Sequence, residues 1–131
     1  MTNRATVLCV DDELNSLEGR KMLLESRDYN VFIASSGAEA LQLFSLRSID
    51  VVLLDYHMPE MDGNVVAEHM KARQPNIPII MLSGDDDLSQ SALRSVDAFV
   101  SKSEPFTRLF ETIESMVKMP PEFIPEPETA A

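Results

Sequence analysis

Asp11 and Asp12 follow an apolar run from Ala5 to Val10, Asp55 follows Val51 to Leu54, and Ser83 follows Ile79 to Leu82. Lys102 comes one residue after Ser101, which closes a fifth short run, Ala98 to Val100. Such groups can act together only if the fold brings the ends of these runs to one edge. Three carboxylates gathered there would repel one another, since two unit charges ~4 Å apart cost about 4 kcal/mol at an effective dielectric of ~20. A hard divalent cation removes that cost, and an all-oxygen site that retains waters suits Mg²⁺. One carboxylate could then act as nucleophile toward a phosphoryl group while Mg²⁺, the Ser83 hydroxyl and the Lys102 ammonium neutralise the phosphoryl oxygens. Asp55, alone on its run, is the candidate nucleophile.

The elements that must position these residues are legible. The runs at 5–10, 51–54 and 79–82 are continuously apolar, as expected of parallel strands covered on both faces, and 31–34 and 98–100 complete a set of five. Helical patterns lie between them. Ser36 with Glu39 forms a capping box ahead of an Ala40, Leu41 and Phe44 stripe. The last helix follows Pro105 and repeats Phe106, Leu109, Phe110, Ile113, Met116 and Val117 at helical spacing. The first helix is weaker: Leu14, Leu17 and Leu24 share a face, but Gly19 sits in its interior. A third helix spans Val65 to Arg73 and stops before Pro75.

This alternation implies right-handed crossovers and an α/β fold of (βα)5 type, a doubly wound five-stranded parallel sheet of flavodoxin-like order 2-1-3-4-5. That order places the first and third strands side by side at the topological switch point, where a site is expected at their carboxyl ends.

The chain has 131 residues, with 22 Asp and Glu against 11 Lys and Arg, for a formal net charge of −11. One domain of this size needs no disulfide or structural metal to fold, and a single Cys excludes the disulfide-scaffold and zinc-finger classes. The acidity and scattered basic residues argue against nucleic-acid binding. The apolar run near the start ends too soon for a signal peptide, and no run approaches transmembrane length, so no membrane role and a cytoplasmic location are expected. Residues 1–119 are read as the domain. Residues 120–131, with four of the eight prolines and three Glu, are read as a Pro/Glu-rich tail or linker.

Asp11-Asp12-Glu13, the run Asp55-Tyr56-His57-Met58-Pro59-Glu60-Met61-Asp62-Gly63, Ser83-Gly84 and Lys102 together resemble the receiver domain of two-component response regulators over residues 5–118. The resemblance implies that Asp55 is the phosphoacceptor, served by a histidine kinase or histidine phosphotransfer protein. Asp12 would ligate Mg²⁺ directly, Asp11 through water, and the His57 backbone carbonyl would complete the protein ligands beside Asp55. Lys102 would pair with Asp55 and then with the phosphoryl group. Ser83 would move toward the phosphoryl oxygens, and Phe99 would be the aromatic switch residue that follows it by packing. Output would pass through contact with an unidentified protein, the chain being a monomer or a phosphorylation-dependent dimer. It is either a single-domain regulator or a receiver cut from a longer one at the Pro/Glu linker.

Three positions depart from the family pattern, one of them Phe99, which lacks the hydroxyl of a Tyr and so can couple only through packing. Ser103 replaces the Pro that usually follows the lysine with a cis bond, so either the surroundings force that form or the loop takes another route. Ser95 stands where Gly is common, on a segment somewhat shorter than usual, so the helix between the fourth and fifth strands is expected to be short or irregular.

His57 and Asp85 are expected to border the phosphoryl pocket from opposite sides and screen the attacking water, with Asp86 and Asp87 as solvated loop residues. Cys9 reads as a buried small hydrophobe, and His69 as a solvated helix residue. The competing enzyme class is a haloacid dehalogenase-type phosphohydrolase. It usually needs a second Asp two residues after the nucleophile, where this chain has His57, and a cap insertion for which there is no room. A flavodoxin-like cofactor carrier is disfavoured by the acidic triplet after the first strand, which would repel a flavin phosphate.

Overall fold

The computed structural model describes residues 4–84 and 88–117. Five parallel strands, β1 (Thr6–Val10), β2 (Asn30–Ala34), β3 (Val51–Asp55), β4 (Ile79–Ser83) and β5 (Ala98–Ser101), form one sheet in the order β2-β1-β3-β4-β5. Among the described residues four helices connect or follow them: α1 (Leu14–Glu25), α2 (Gly37–Leu46), α3 (Gly63–Arg73) and α4 (Phe106–Met116). This is the expected doubly wound fold.

The apolar runs are continuous because successive side chains serve two different cores. Leu8, Val10, Val52, Leu54, Ile79 and Met81 face α2 and α3, meeting Phe44, Val66 and Met70. Val7, Cys9, Val51, Leu53, Ile80 and Leu82 face α1 and α4, meeting Leu17, Leu24, Leu109, Phe110 and Ile113. Burial pushes the Cys9 thiol up to about 12, so it stays protonated and behaves as the small hydrophobe expected.

Three strands run one residue further than their apolar runs, and the extra residues are Asp55, Ser83 and Ser101. The ladder continues there: Asp55 stands opposite Leu82 and Ser83 opposite Ser101. Asp55 and Ser83 therefore stand on sheet backbone, whereas Asp11, Asp12 and Lys102 come just after the ends of β1 and β5.

Helix ends follow local chemistry. Ser36 Oγ accepts the Glu39 N–H at 3.1 Å, as the capping box requires, while the Glu39 carboxylate reaches the Ser35 N–H at 2.8 Å, one residue beyond the usual reciprocal partner. Helix α3 begins at Gly63, two residues before the expected start, with the Gly63 N–H bonded to the Tyr56 carbonyl at 2.8 Å. A Cβ at Gly63 would collide with the Asp55 carbonyl oxygen, so glycine allows the helix to start against the end of β3.

Two expectations change. Leu14 is exposed, so of the Leu14, Leu17 and Leu24 face expected for α1 only Leu17 and Leu24 reach the core. Between β4 and β5, the described residues 88–97 form turns, not a helix. Ser89 Oγ accepts the Ala92 N–H at 3.1 Å, a local side-chain bond of the kind that competes with helix. Leu88, Leu93 and Val96 still pack on the α2/α3 side, and Asp97 closes the segment by accepting the Ile79 N–H at 2.8 Å and the Lys71 ammonium at 2.7 Å. Among the described residues no helix is long and apolar enough to cross a membrane.

Candidate functional site

The order β2-β1-β3 puts the ends of β1 and β3 side by side, and with them Asp11, Asp12 and Asp55. One carboxylate oxygen from each lies within 4.8 Å of the others. Asp11 and Asp55 are buried, at 1% and 4% exposure, while Asp12 is exposed. Two buried carboxylates and one open to water, all oxygen donors, fit a hard cation that keeps part of its hydration shell, as Mg²⁺ does.

Lys102 enters from the loop after β5. Its N–H bonds to the Ser83 carbonyl at 2.8 Å, which anchors the base of the side chain to β4. Its ammonium lies 2.8 Å from Asp55 Oδ1 and 3.3 Å from Asp11 Oδ2. Among the described residues every peptide bond is trans, so at Ser103 the loop takes the other of the two routes. It closes as a turn, with the Glu104 N–H on the Ser101 carbonyl at 3.1 Å and the Ser101 and Ser103 hydroxyls 2.9 Å apart.

The electrostatics follow from this packing. Burial raises the Asp55 carboxyl above its ordinary value, the Lys102 hydrogen bond pulls it down, and the charges of Asp11 and Asp12 push it up. For Lys102, burial works against the ammonium, but the hydrogen bond and charge of Asp55, with Asp11, outweigh it and the proton is held more tightly than usual.

The structure thus brings Asp11, Asp12, Asp55 and Lys102 together, with Ser83 buried at 1% exposure on the neighbouring strand. Phe99 is half-buried on β5 opposite Met81 and packs into the α2/α3 core. His57 is exposed, with its ring edge-on to Tyr56 at 4.7 Å. Asp85, Asp86 and Asp87 lie outside the described residues. His69 is exposed, as expected.

One residue of the site was missed by the sequence reading. Arg20 of α1 is 8% exposed, and both its terminal guanidinium nitrogens lie 3.4 Å from Asp11 Oδ2. The available signal was its spacing: Leu17, Arg20 and Leu24 fall on one buried stripe, so a charged residue there had to find a partner inside.

A doubly wound sheet with three carboxylates and a lysine gathered at its switch point makes a candidate cation site on a flavodoxin-like fold. The chain belongs to the response regulator receiver domain family, whose model matches residues 7–114. The transcriptional regulatory protein ZraR of Salmonella typhimurium is 34% identical over 112 residues, covering 82% of this chain and 25% of the relative. Sensor kinase CckA of Brucella abortus is 32% identical over 123 residues, covering 90% of this chain and 13% of the relative. The chain therefore spans a quarter or less of either relative. Among solved structures, response regulator TrrA of Thermotoga maritima, determined with Mg²⁺ and BeF, superposes with a TM-score of 0.80 at 32% identity, covering 86% of this chain and 99% of that one. A CheY-like receiver domain protein of Methanospirillum hungatei gives a TM-score of 0.82 at 28% identity, covering 86% of this chain and 93% of that one. The chain is thus a signalling receiver domain of the two-component type, and the haloacid dehalogenase alternative is not favoured.

Proposed function

We propose that Asp55 accepts a phosphoryl group from a histidine kinase or histidine phosphotransfer protein and that the resulting aspartyl phosphate switches contacts with an output protein. The observation that carries this reading is the 2.8 Å pairing of Lys102 with Asp55 inside the three-carboxylate cluster. In the transfer, an Asp55 carboxylate oxygen forms the new bond to phosphorus as the bond to the donor nitrogen breaks, and the imidazole leaves with that electron pair. Bound Mg²⁺ would supply charge neutralisation of the phosphoryl oxygens. Asp12 would hold it directly, Asp11 through water, and Asp55 and the His57 carbonyl would complete the set.

Lys102, already on Asp55, would follow the charge onto the phosphoryl oxygens, and the Ser83 hydroxyl would donate to them. Phosphorylation adds about −1.5 to −2 charge, and drawing in Ser83 would free space on the sheet face into which Phe99 can turn. Two arrangements of the loop after β4 and of Phe99 would then be distinguished by an output partner. His57 and Asp85 would screen the attacking water. If His57→Ala and Asp85→Ala each leave the lifetime of the phosphorylated protein unchanged, that last assignment is wrong.

The test uses beryllofluoride with Mg²⁺, a phosphoryl mimic. The wild type should bind it and change its amide NMR spectrum around Ser83 and Phe99, and Asp55→Asn should not respond. A wild-type spectrum identical with and without the mimic would sink the switch.

A further inference from the structure

Arg20 is the buried charge that the proposed chemistry does not use. It sits on the core-facing stripe of α1, between Leu17 and Leu24, and its guanidinium shares Asp11 Oδ2 with the Lys102 ammonium at 3.4 and 3.3 Å. The other oxygen, Asp11 Oδ1, accepts the Glu13 N–H at 2.9 Å. Both oxygens of Asp11 are therefore held by the chain itself. A guanidinium does not deprotonate in a protein, so this positive charge is permanent whatever the state of the site.

We propose that Arg20 is a resident counter-cation, a positioning residue that sets the site's charge balance to favour the phosphorylated, metal-loaded state over the merely metal-loaded one. This rests on the receiver reading of Asp55. Three carboxylates facing Lys102 alone carry two net negative charges, which Mg²⁺ by itself would neutralise. With Arg20 present only one net negative charge is left, so Mg²⁺ overshoots to net positive. The phosphoryl group then restores neutrality, because it replaces the single charge of Asp55 by nearly two. Arg20 thus weakens the bare site's hold on the cation and strengthens the loaded site's hold on an anion. It also occupies Asp11, leaving Lys102 freer to follow Asp55.

The two effects have opposite signs, which a purely structural role would not produce. Calorimetric titration of Mg²⁺ should show Arg20→Leu binding the cation about five- to tenfold more tightly than wild type, as expected for removing a unit charge whose field is screened nearly as strongly as in bulk water. In saturating Mg²⁺, the same variant should need about five- to tenfold more beryllofluoride for half-saturation. Arg20→Lys, which keeps the charge, should stay close to wild type on both. Arg20→Gln, which keeps length and polarity, should reproduce the Leu signs and serves if the Leu variant does not fold.

Both affinities moving in the same direction, or neither moving, overturns the proposal. So does failure of both neutral variants to fold, which would make Arg20 a determinant of folding instead. A wild type that binds Mg²⁺ but not beryllofluoride overturns the receiver reading on which the proposal stands, whereas loss confined to the Arg20 variants does not touch that reading.

Discussion

Helices α1 and α4 lie on the same face of the sheet and share one core, yet they are built differently. Leu109, Phe110 and Ile113 of α4 are all apolar and all buried. The buried stripe of α1 is Leu17, Arg20 and Leu24, with exposed Leu14 at its start and Gly19 in its interior. Between the two helices lies a groove of about 380 Å³ that reaches from Gly19 and Leu23 past Arg20 to Lys102 and Phe106. Helix α4 contributes apolar burial, with the Arg27 guanidinium 4.0 Å from the centre of the Phe110 ring. Helix α1 gives up one core position to place a cation under Asp11, and its apolar pattern is poorer for it.

The sharpest way to separate the two is to remove core from the helix that has no part in the site. Ile113→Ala should destabilise the protein by about 2–5 kcal/mol, and the loss in chemical denaturation should be the same with and without Mg²⁺. A Mg²⁺-dependent loss would mean that α4 is coupled to the site and the contrast is false.

The next effect belongs to the site that α1 serves. Because burial and neighbouring carboxylates raise Asp55 in the folded state, its ionised form opposes folding. The folded protein binds more protons than the unfolded one between the two pKa values, so the Asp55 contribution to stability falls as pH rises through that window. Asp55→Asn should therefore raise the melting temperature in Mg²⁺-free buffer near neutrality by a few degrees. That gain should shrink as pH falls through the raised range of Asp55, where the wild type relieves the same strain by protonation. A gain independent of pH would point to packing rather than charge.

The smallest effect tests the weakness of α1 itself. A Cβ at Gly19 would meet nothing within 4 Å, so Gly19→Ala should stabilise by about 0.5–1 kcal/mol through helix propensity alone. Thermal denaturation showing a loss would mean that the groove beside Gly19 is narrower than it looks.

The same contrast explains what could be read from the chain beforehand. Helix α4 was legible because unbroken apolar spacing has one reading, and the strands were legible because continuous apolar runs require cover on both faces. The ends of those strands gave Asp11, Asp12, Asp55, Ser83 and Lys102, since strand order alone carries them to one edge. Arg20 escaped because a search for apolar periodicity passes over a charged residue, and its partner is nine residues away in the loop after β1. The turns before β5 were only half legible. Ser95 and the short spacing weaken a helix there, but hydroxyl-to-backbone bonds such as that of Ser89 become visible only in three dimensions.

The central claim is that Asp55, paired with Lys102 in a Mg²⁺-type carboxylate site, is the residue that takes the phosphoryl group. The most direct measurement is intact-mass analysis after incubation with a small phosphoryl donor such as acetyl phosphate and Mg²⁺, followed by mapping of the adduct. The account predicts a single phosphoryl adduct per chain, located on Asp55, dependent on Mg²⁺ and absent from Asp55→Asn. An adduct on another residue, or one that persists in Asp55→Asn, would contradict it.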